Sequence, residues 1–184
     1  MEFANLLSGA GRCSVVEMTI HSIRVTETHH QGVVILKEKH SNRYLAIWIG
    51  QAEVSAIAMK FQNVELGRPL THDLLQSVIL ALGAGPDYVV VCDMEKDTFY
   101  AKLALTADGH EIEIDCRPSD ALALAVRAEV PIYADDGVLA RAGIVLDDDT
   151  GEPLKEGKDE ECDSEKLSAF KEFISNLDLQ DFEK

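Results

Sequence analysis

A chain of 184 residues with 33 acids, 17 bases and a net charge of −16 excludes a broad, sequence-independent grip on nucleic acid, which needs Lys and Arg to displace counterions. Apolar content of 46% supplies a core, yet no run approaches the roughly 18 to 20 apolar residues that span a bilayer. The start, Met1 to Gly11, lacks the basic and apolar stretches of a signal peptide, so no membrane association and a cytoplasmic location are expected.

Cys13, Cys92, Cys116 and Cys162 form no C-x-x-C pair, which removes zinc knuckles and dithiol redox sites from consideration. More than half of the excess acid lies in residues 147–184, leaving a body that is acidic without being extreme.

In chain order, residues 1–13 form an extension and Ser14 to Thr26 reads as a strand, with a phase change near His21-Ser22 that fits a bulge. Gly32 to Lys39 and Tyr44 to Ile49 make two more strands. Gln51 to Val64 then switches to helical spacing through Val54, Ile57, Ala58 and Phe61. Thr71 caps a second predicted helix running to Leu82, with Asp73 in its first turn, where the helix dipole favours an acid.

Strands resume at Tyr88 to Met94, Thr98 to Thr106 and His110 to Asp115. Ser119 to Glu129 follows as a helix, then Pro131-Ile-Tyr133 and a short helix Val138 to Ala142. Residues 147–162 read as an acidic linker. Residues 163–184 hold an amphipathic helix with Leu167, Phe170, Ile174 and Leu177 on one stripe.

Sliding the sequence on itself by 67 residues aligns Leu45 with Ile112, Ile47 with Ile114, Glu53 with Asp120 and Lys60 with Arg127. The expected fold is therefore α+β: a tandem β-β-β-α-α unit, 14–82 and 83–146 of one domain, with mostly antiparallel sheets and helices packed on one face. Such symmetry would bring Glu53 and Asp120 to one groove. The helix from Ala121 to Ala128 is apolar nearly all round, which predicts burial on several sides, one of them against another subunit of a homo-oligomer.

Charge gathers where the strand pattern ending at Asp115 becomes a helix. Pro118 suits the first helical position, and Ser119 or Asp120 can accept from the open N–H groups of the first turn. A helix N-terminus attracts anions, and Arg117 adds a fork that suits carboxylate or phosphate. Capping by Ser119 and Asp120, with Arg117 paired to a nearby acid, accounts for the same residues without any ligand.

With those residues in view, the chain resembles the bifunctional nuclease domain family. The matching motifs are Leu45-Ala-Ile-Trp-Ile-Gly50 leading to Glu53, Arg68-Pro-Leu-Thr-His-Asp-Leu-Leu75, Thr98-Phe-Tyr-Ala-Lys-Leu103 and Ile114-Asp-Cys-Arg-Pro-Ser-Asp-Ala. They run over about residues 14–146. The resemblance implies a nuclease acting on RNA and DNA, and it brings no agreed catalytic residues with it.

Phosphodiester hydrolysis needs an activated water and charge stabilisation at the phosphoryl oxygens, commonly through carboxylates holding Mg²⁺ or Mn²⁺. Under that implication Asp115 and Asp120 are the candidate metal ligands, with Glu53 a third. His72 and Asp73 are candidates for general base and orienting acid, and Arg117, Ser119, Arg127 and Lys60 for phosphate or ligand binding. No H-x-H or H-E-x-x-H signature is present, and His29-His30 reads as a solvated turn. The competing account is a non-enzymatic oligomeric module that binds a protein or small ligand. It is favoured by the acidic body and by Tyr44, Trp48, Phe99 and Tyr100, which sit in strand patterns where core packing explains them.

Overall fold

The computed structural model describes residues 14–26, 31–64 and 66–145. The N-terminal extension, the acidic linker and the C-terminal amphipathic helix lie outside the described residues. The chain divides into two compact units, Met1–Gly143 and Ile144–Lys184.

The elements of the first unit are β1 (Val15–Thr26), β2 (Gln31–Glu38), β3 (Arg43–Gly50), α1 (Gln51–Phe61), α2 (Thr71–Ala81), β4 (Ala84–Glu95), β5 (Thr98–Ala107), β6 (His110–Cys116), α3 (Pro118–Ala128), β7 (Ile132–Asp135) and α4 (Asp136–Ala142). A last strand, β8 (Gly143–Val145), crosses into the second unit. The phase change at His21-Ser22 is a register shift in the β1–β2 ladder between Ile20 and Ser22.

The fold is α+β, with four helices among the described residues and a mixed, mostly antiparallel sheet. Two expectations need correction. The predicted pair of sheets is one sheet, with strands in the order β6-β5-β4-β7-β1-β2-β3. The second half is also not β-β-β-α-α. Ile132 to Asp135 becomes a full strand that pairs antiparallel with β1 and parallel with β4, and so joins the halves. Pro131 lacks an N–H and its own carbonyl accepts from Val89, which starts that strand at Ile132 and docks it on β4.

The core is continuous from Leu36, Leu45 and Ile57 in the first half to Val89, Leu122 and Val138 in the second. In β2, Val33, Val34, Ile35 and Leu36 are all buried, and in β4 so are Val89, Val90 and Val91. Successive strand residues point to opposite faces, so the middle of the sheet is covered on both faces and not on one as expected. At β6 the cover fails along the strand: every residue from His110 to Asp115 is exposed.

Helix α3 fills the centre. Ala121 to Ala125 are each no more than 3% exposed, packed among α1, α2, β4 and β5. Its all-round apolar character is thus explained inside its own chain. Apolar surface is left uncovered on α2 in particular, where only His72 and Ile79 are buried.

Candidate functional site

The β6–α3 junction turns at Arg117, the residue preceding α3, with Pro118 in the first helical position. Neither Ser119 nor Asp120 caps the helix. Ser119 is buried and is not among the residues that line the two clefts described below. Asp120 instead accepts a fork from Arg117, Nε to Oδ2 at 2.7 Å and Nη2 to Oδ1 at 3.0 Å. The same Nη2 reaches Glu53 Oε1 on α1 at 3.0 Å, so the two acids aligned by the 67-residue shift meet on one guanidinium.

The fourth member arrives from α2. His72 Nε2 lies 3.2 Å from Asp120 Oδ1, across 48 residues of sequence. Gly50, just before α1, lets the Glu53 carboxylate fold back, because a Cβ there would collide with Glu53 Oε2.

His72, Arg117 and Asp120 border a cleft of about 620 Å³ at the end of the β5–β6 edge. In the β5–β6 register Cys116 lies opposite Ala101 and Asp115 opposite Lys102, so Cys116 and Asp115 enter from opposite faces of the sheet. Phe99 and Tyr100 complete the apolar part of the wall. Arg117 is 66% exposed at the side chain while fixed by its two acids.

Burial alone would raise the Asp120 pKa, but hydrogen bonds from Arg117 and His72, with the Arg117 charge, outweigh it and hold the carboxyl below its ordinary range. Asp120 is therefore an ionised, acceptor-only group. The His72 Nε2 that faces it therefore carries a proton and donates. The Arg117 pKa is pushed up, first by its bond to Asp120. Burial, followed by the charges of Asp120 and Asp115, raises the Cys116 thiol to about 11, so that sulfur is a protonated wall atom and not a nucleophile.

The expected metal set does not fit. Among the described residues no group of three or more His, Cys, Asp or Glu side chains is placed to hold an ion. Both Asp120 oxygens are engaged, Glu53 is held by the same arginine, and Asp115 projects from the other face of the edge.

The remaining predicted residues gather elsewhere. Lys60, Asp73 and Arg127 line a second cleft of about 310 Å³ together with Arg68. Arg127 is buried, and it donates to Ala123 O on α3 at 2.8 Å, to Ala56 O on α1 at 3.1 Å and to Asp73 on α2. Asp73 also accepts from the Leu70 N–H at 2.7 Å, so this acid closes the start of α2, where Thr71 is already the first helical residue and not the cap. His72 and Asp73 serve different partners. Phe99 packs against the core as expected while also lining the cleft, whereas Tyr100, expected in the core, is a cleft residue and 41% exposed. The signal is in the sequence: Tyr100 is out of phase with Ala101 and Leu103, which carry the β5 core face.

For Asp73, as for Asp120, burial raises the carboxyl, but the Leu70 N–H and Arg127 outweigh it and leave the pKa lowered. Both acids thus bind protons less readily in the folded chain than in the unfolded one. Their contribution is complete above the ordinary Asp value of about 3.9 and is lost as pH falls towards the folded pKa. Stability in urea is expected to be flat near neutrality and to decline below about pH 5. Asp73→Asn should flatten that acid slope; an unchanged slope would remove Asp73 from the acid response.

An acidic α+β domain with an arginine at the wall of an open cleft is the class that fold and site define. Comparison with known proteins then gives the family: the model described as "Bifunctional nuclease domain" matches residues 34–147, and the chain belongs to that family. It is 40% identical over 166 residues to the uncharacterized protein MT1877 of Mycobacterium tuberculosis, covering 90% of this chain and 97% of that one. It is 25% identical over 136 residues to bifunctional nuclease 1 of Oryza sativa subsp. indica, covering 72% of this chain and 41% of the rice protein. Bifunctional nuclease 2 of Arabidopsis thaliana is 26% identical over 109 residues, covering 58% and 33%. No helix among the described residues is long and apolar enough to cross a membrane.

Proposed function

We propose that the cleft at the β6–α3 junction binds and hydrolyses phosphodiester bonds of RNA and DNA. The observation that carries this is the convergence of His72 and Arg117 on Asp120 at the wall of an open cleft. Arg117 uses Nε and Nη2 on its acids, and Nη1 remains to meet a phosphoryl oxygen. Asp120 orients His72, whose Nδ1 accepts the proton of the attacking hydroxyl, a water or the 2′-OH of RNA, as its oxygen bonds to phosphorus, and the leaving oxygen departs with the electron pair of the broken P–O bond and takes a proton from solvent. Tyr100 and Phe99 offer flat surfaces to a base. The net charge of −16 restricts the reading to local recognition at this cleft, since the body repels a long polyanion.

The test is turnover of end-labelled single-stranded RNA and DNA by the purified chain, in EDTA and in Mg²⁺, beside Arg117→Ala and Asp120→Asn. Each variant should lose at least tenfold. Activity that copurifies and survives both substitutions belongs to a contaminant, and the catalytic assignment then falls. One observation favours a second reading, a binding module without chemistry. Glu53 and Asp120 already satisfy Arg117, as a clamp between α1 and α3 would require. Saturable nucleotide binding that Arg117→Ala abolishes, without turnover in either buffer, would select it.

A further inference from the structure

We infer that the smaller cleft, at the C-terminal ends of α1 and α3, is a second ligand site and takes an organic phosphate monoester of nucleotide size. It holds about 310 Å³, within the range of small-molecule sites. Lys60 reaches it from the last turn of α1, Val64, Leu66 and Arg68 from the loop into α2, Asp73 from the first turn of α2, and Arg127 from the last turn of α3. It shares no lining residue with the cleft at the β6–α3 junction. The two part at the start of α2, where His72 lines one and Asp73 the other.

Charge sets this cleft apart. Three cations and one acid line it, against one arginine and two acids at the other. In a chain with 33 acids to 17 bases, a base without an acid is the exception. Lys39, Arg43, Lys102, Arg117, Arg127 and Arg141 each hold a carboxylate, whereas among the described residues no acid stands within ion-pair distance of Lys60 or Arg68. Asp73 has both oxygens taken, Oδ1 by Arg127 and Oδ2 by the Leu70 N–H, and Lys60 acts on it only as a further charge, after burial, that N–H and Arg127. The Arg127–Asp73 pair is thus a finished floor, and two positive charges remain at the wall.

Lys60 has a use without a ligand, since a base in the last turn of α1 offsets the helix dipole. Arg68 has no such use: it is exposed, lies in no helix or strand, and is bonded to no described residue. A fork and a point charge together match a phosphate monoester, which carries about −1.5 to −2 near neutrality and three acceptor oxygens. A carboxylate, with one charge, would leave one cation unmatched. Val64 and Leu66 are each 46% exposed, and they offer the body of an organic ligand an apolar contact that inorganic phosphate cannot use. The net charge of −16 selects a compact ligand, because a long polyanion meets the whole acidic body while a small dianion meets the local excess of base.

Equilibrium dialysis of labelled AMP against the full-length chain tests this, with the wild type and with Arg117→Ala, in which the other cleft has lost its arginine. AMP has no phosphodiester bond to break, so binding is read without turnover. Arg117→Ala should still bind one AMP per chain. Adding Arg68→Ala or Lys60→Ala should weaken that binding at least tenfold while the far-ultraviolet spectrum is retained. Adenosine, which lacks the charge, and inorganic phosphate, which lacks the body, should each bind at least tenfold more weakly than AMP. A chain that binds no AMP, binding that Arg117→Ala alone abolishes, binding indifferent to Arg68→Ala and Lys60→Ala, or an affinity that adenosine or inorganic phosphate matches overturns the inference, whatever the turnover of RNA and DNA proves to be.

Discussion

Arg127→Ala is expected to cost about 3 kcal/mol, the lower end of what removing one partner from a buried ion pair costs, and to lower the thermal midpoint by about 6 to 12 °C. The side chain of Arg127 is 3% exposed and its three contacts lie on three helices. Truncation removes the packing of its stem, leaves the Ala56 carbonyl without this donor, and frees an Asp73 carboxylate that keeps partial access to water. That partial access keeps the cost at the lower end.

Arg117→Ala supplies the contrast. It removes a guanidinium with as many hydrogen bonds, but one that is 66% exposed, where an ion pair contributes no more than about 1 kcal/mol. Arg127→Lys should not rescue, because a single ammonium cannot reach two carbonyls and a carboxylate in the directions of a planar fork. Denaturant midpoints decide the matter: equal losses for Arg127→Ala and Arg117→Ala would mean that the tie between the three helices contributes nothing beyond surface pairing.

The same pair of arginines shows what can be read from residues alone. Arg117 stands among Asp115, Ser119 and Asp120, and a strand pattern followed by Pro118 is enough to gather that charge at one turn. Arg127 and Lys60 share a helical phase with Asp120 and Glu53, which gives them the look of ligand groups. Burial of Arg127 depends on α2 closing over α3, and no local pattern announces that.

The partner of His72 is hidden for a related reason. Adjacency suggests Asp73, but neighbours on a helix project about 100° apart, and the contact that forms is with Asp120, 48 residues on. Alternation and helical spacing locate the strands and helices because they record burial along one element at a time. The parallel seat of β7 beside β4, and the bare outer face of α2, are decided by which elements become neighbours. Leu74, Val78 and Leu82 have the same spacing whether that face is inside or out.

His72→Asn is expected to lower kcat by about 10² to 10⁴, the usual contribution of a positioned general base, with KM nearly unchanged because Arg117 and the aromatic wall still hold the substrate. Asparagine keeps a donor for Asp120 and supplies no basic nitrogen to the cleft. Asp120→Asn should produce a loss of the same order by another route: an amide can donate to Nε2, which moves the ring proton to Nδ1 and removes the acceptor that the reaction uses.

Two residues that act as one unit give losses that do not add, so the double variant His72→Asn/Asp120→Asn should be no worse than the poorer single variant. A clamp with no chemical role predicts otherwise. Asp120 also holds Arg117 and, through it, Glu53, so Asp120→Asn would then act through KM and through the melting temperature, while His72→Asn would leave turnover intact. Steady-state kinetics on one labelled oligonucleotide, with melts of all three variants, separates the two outcomes. Multiplicative losses in the double variant, or full turnover by His72→Asn, would leave the His72–Asp120 contact as packing at the start of α2.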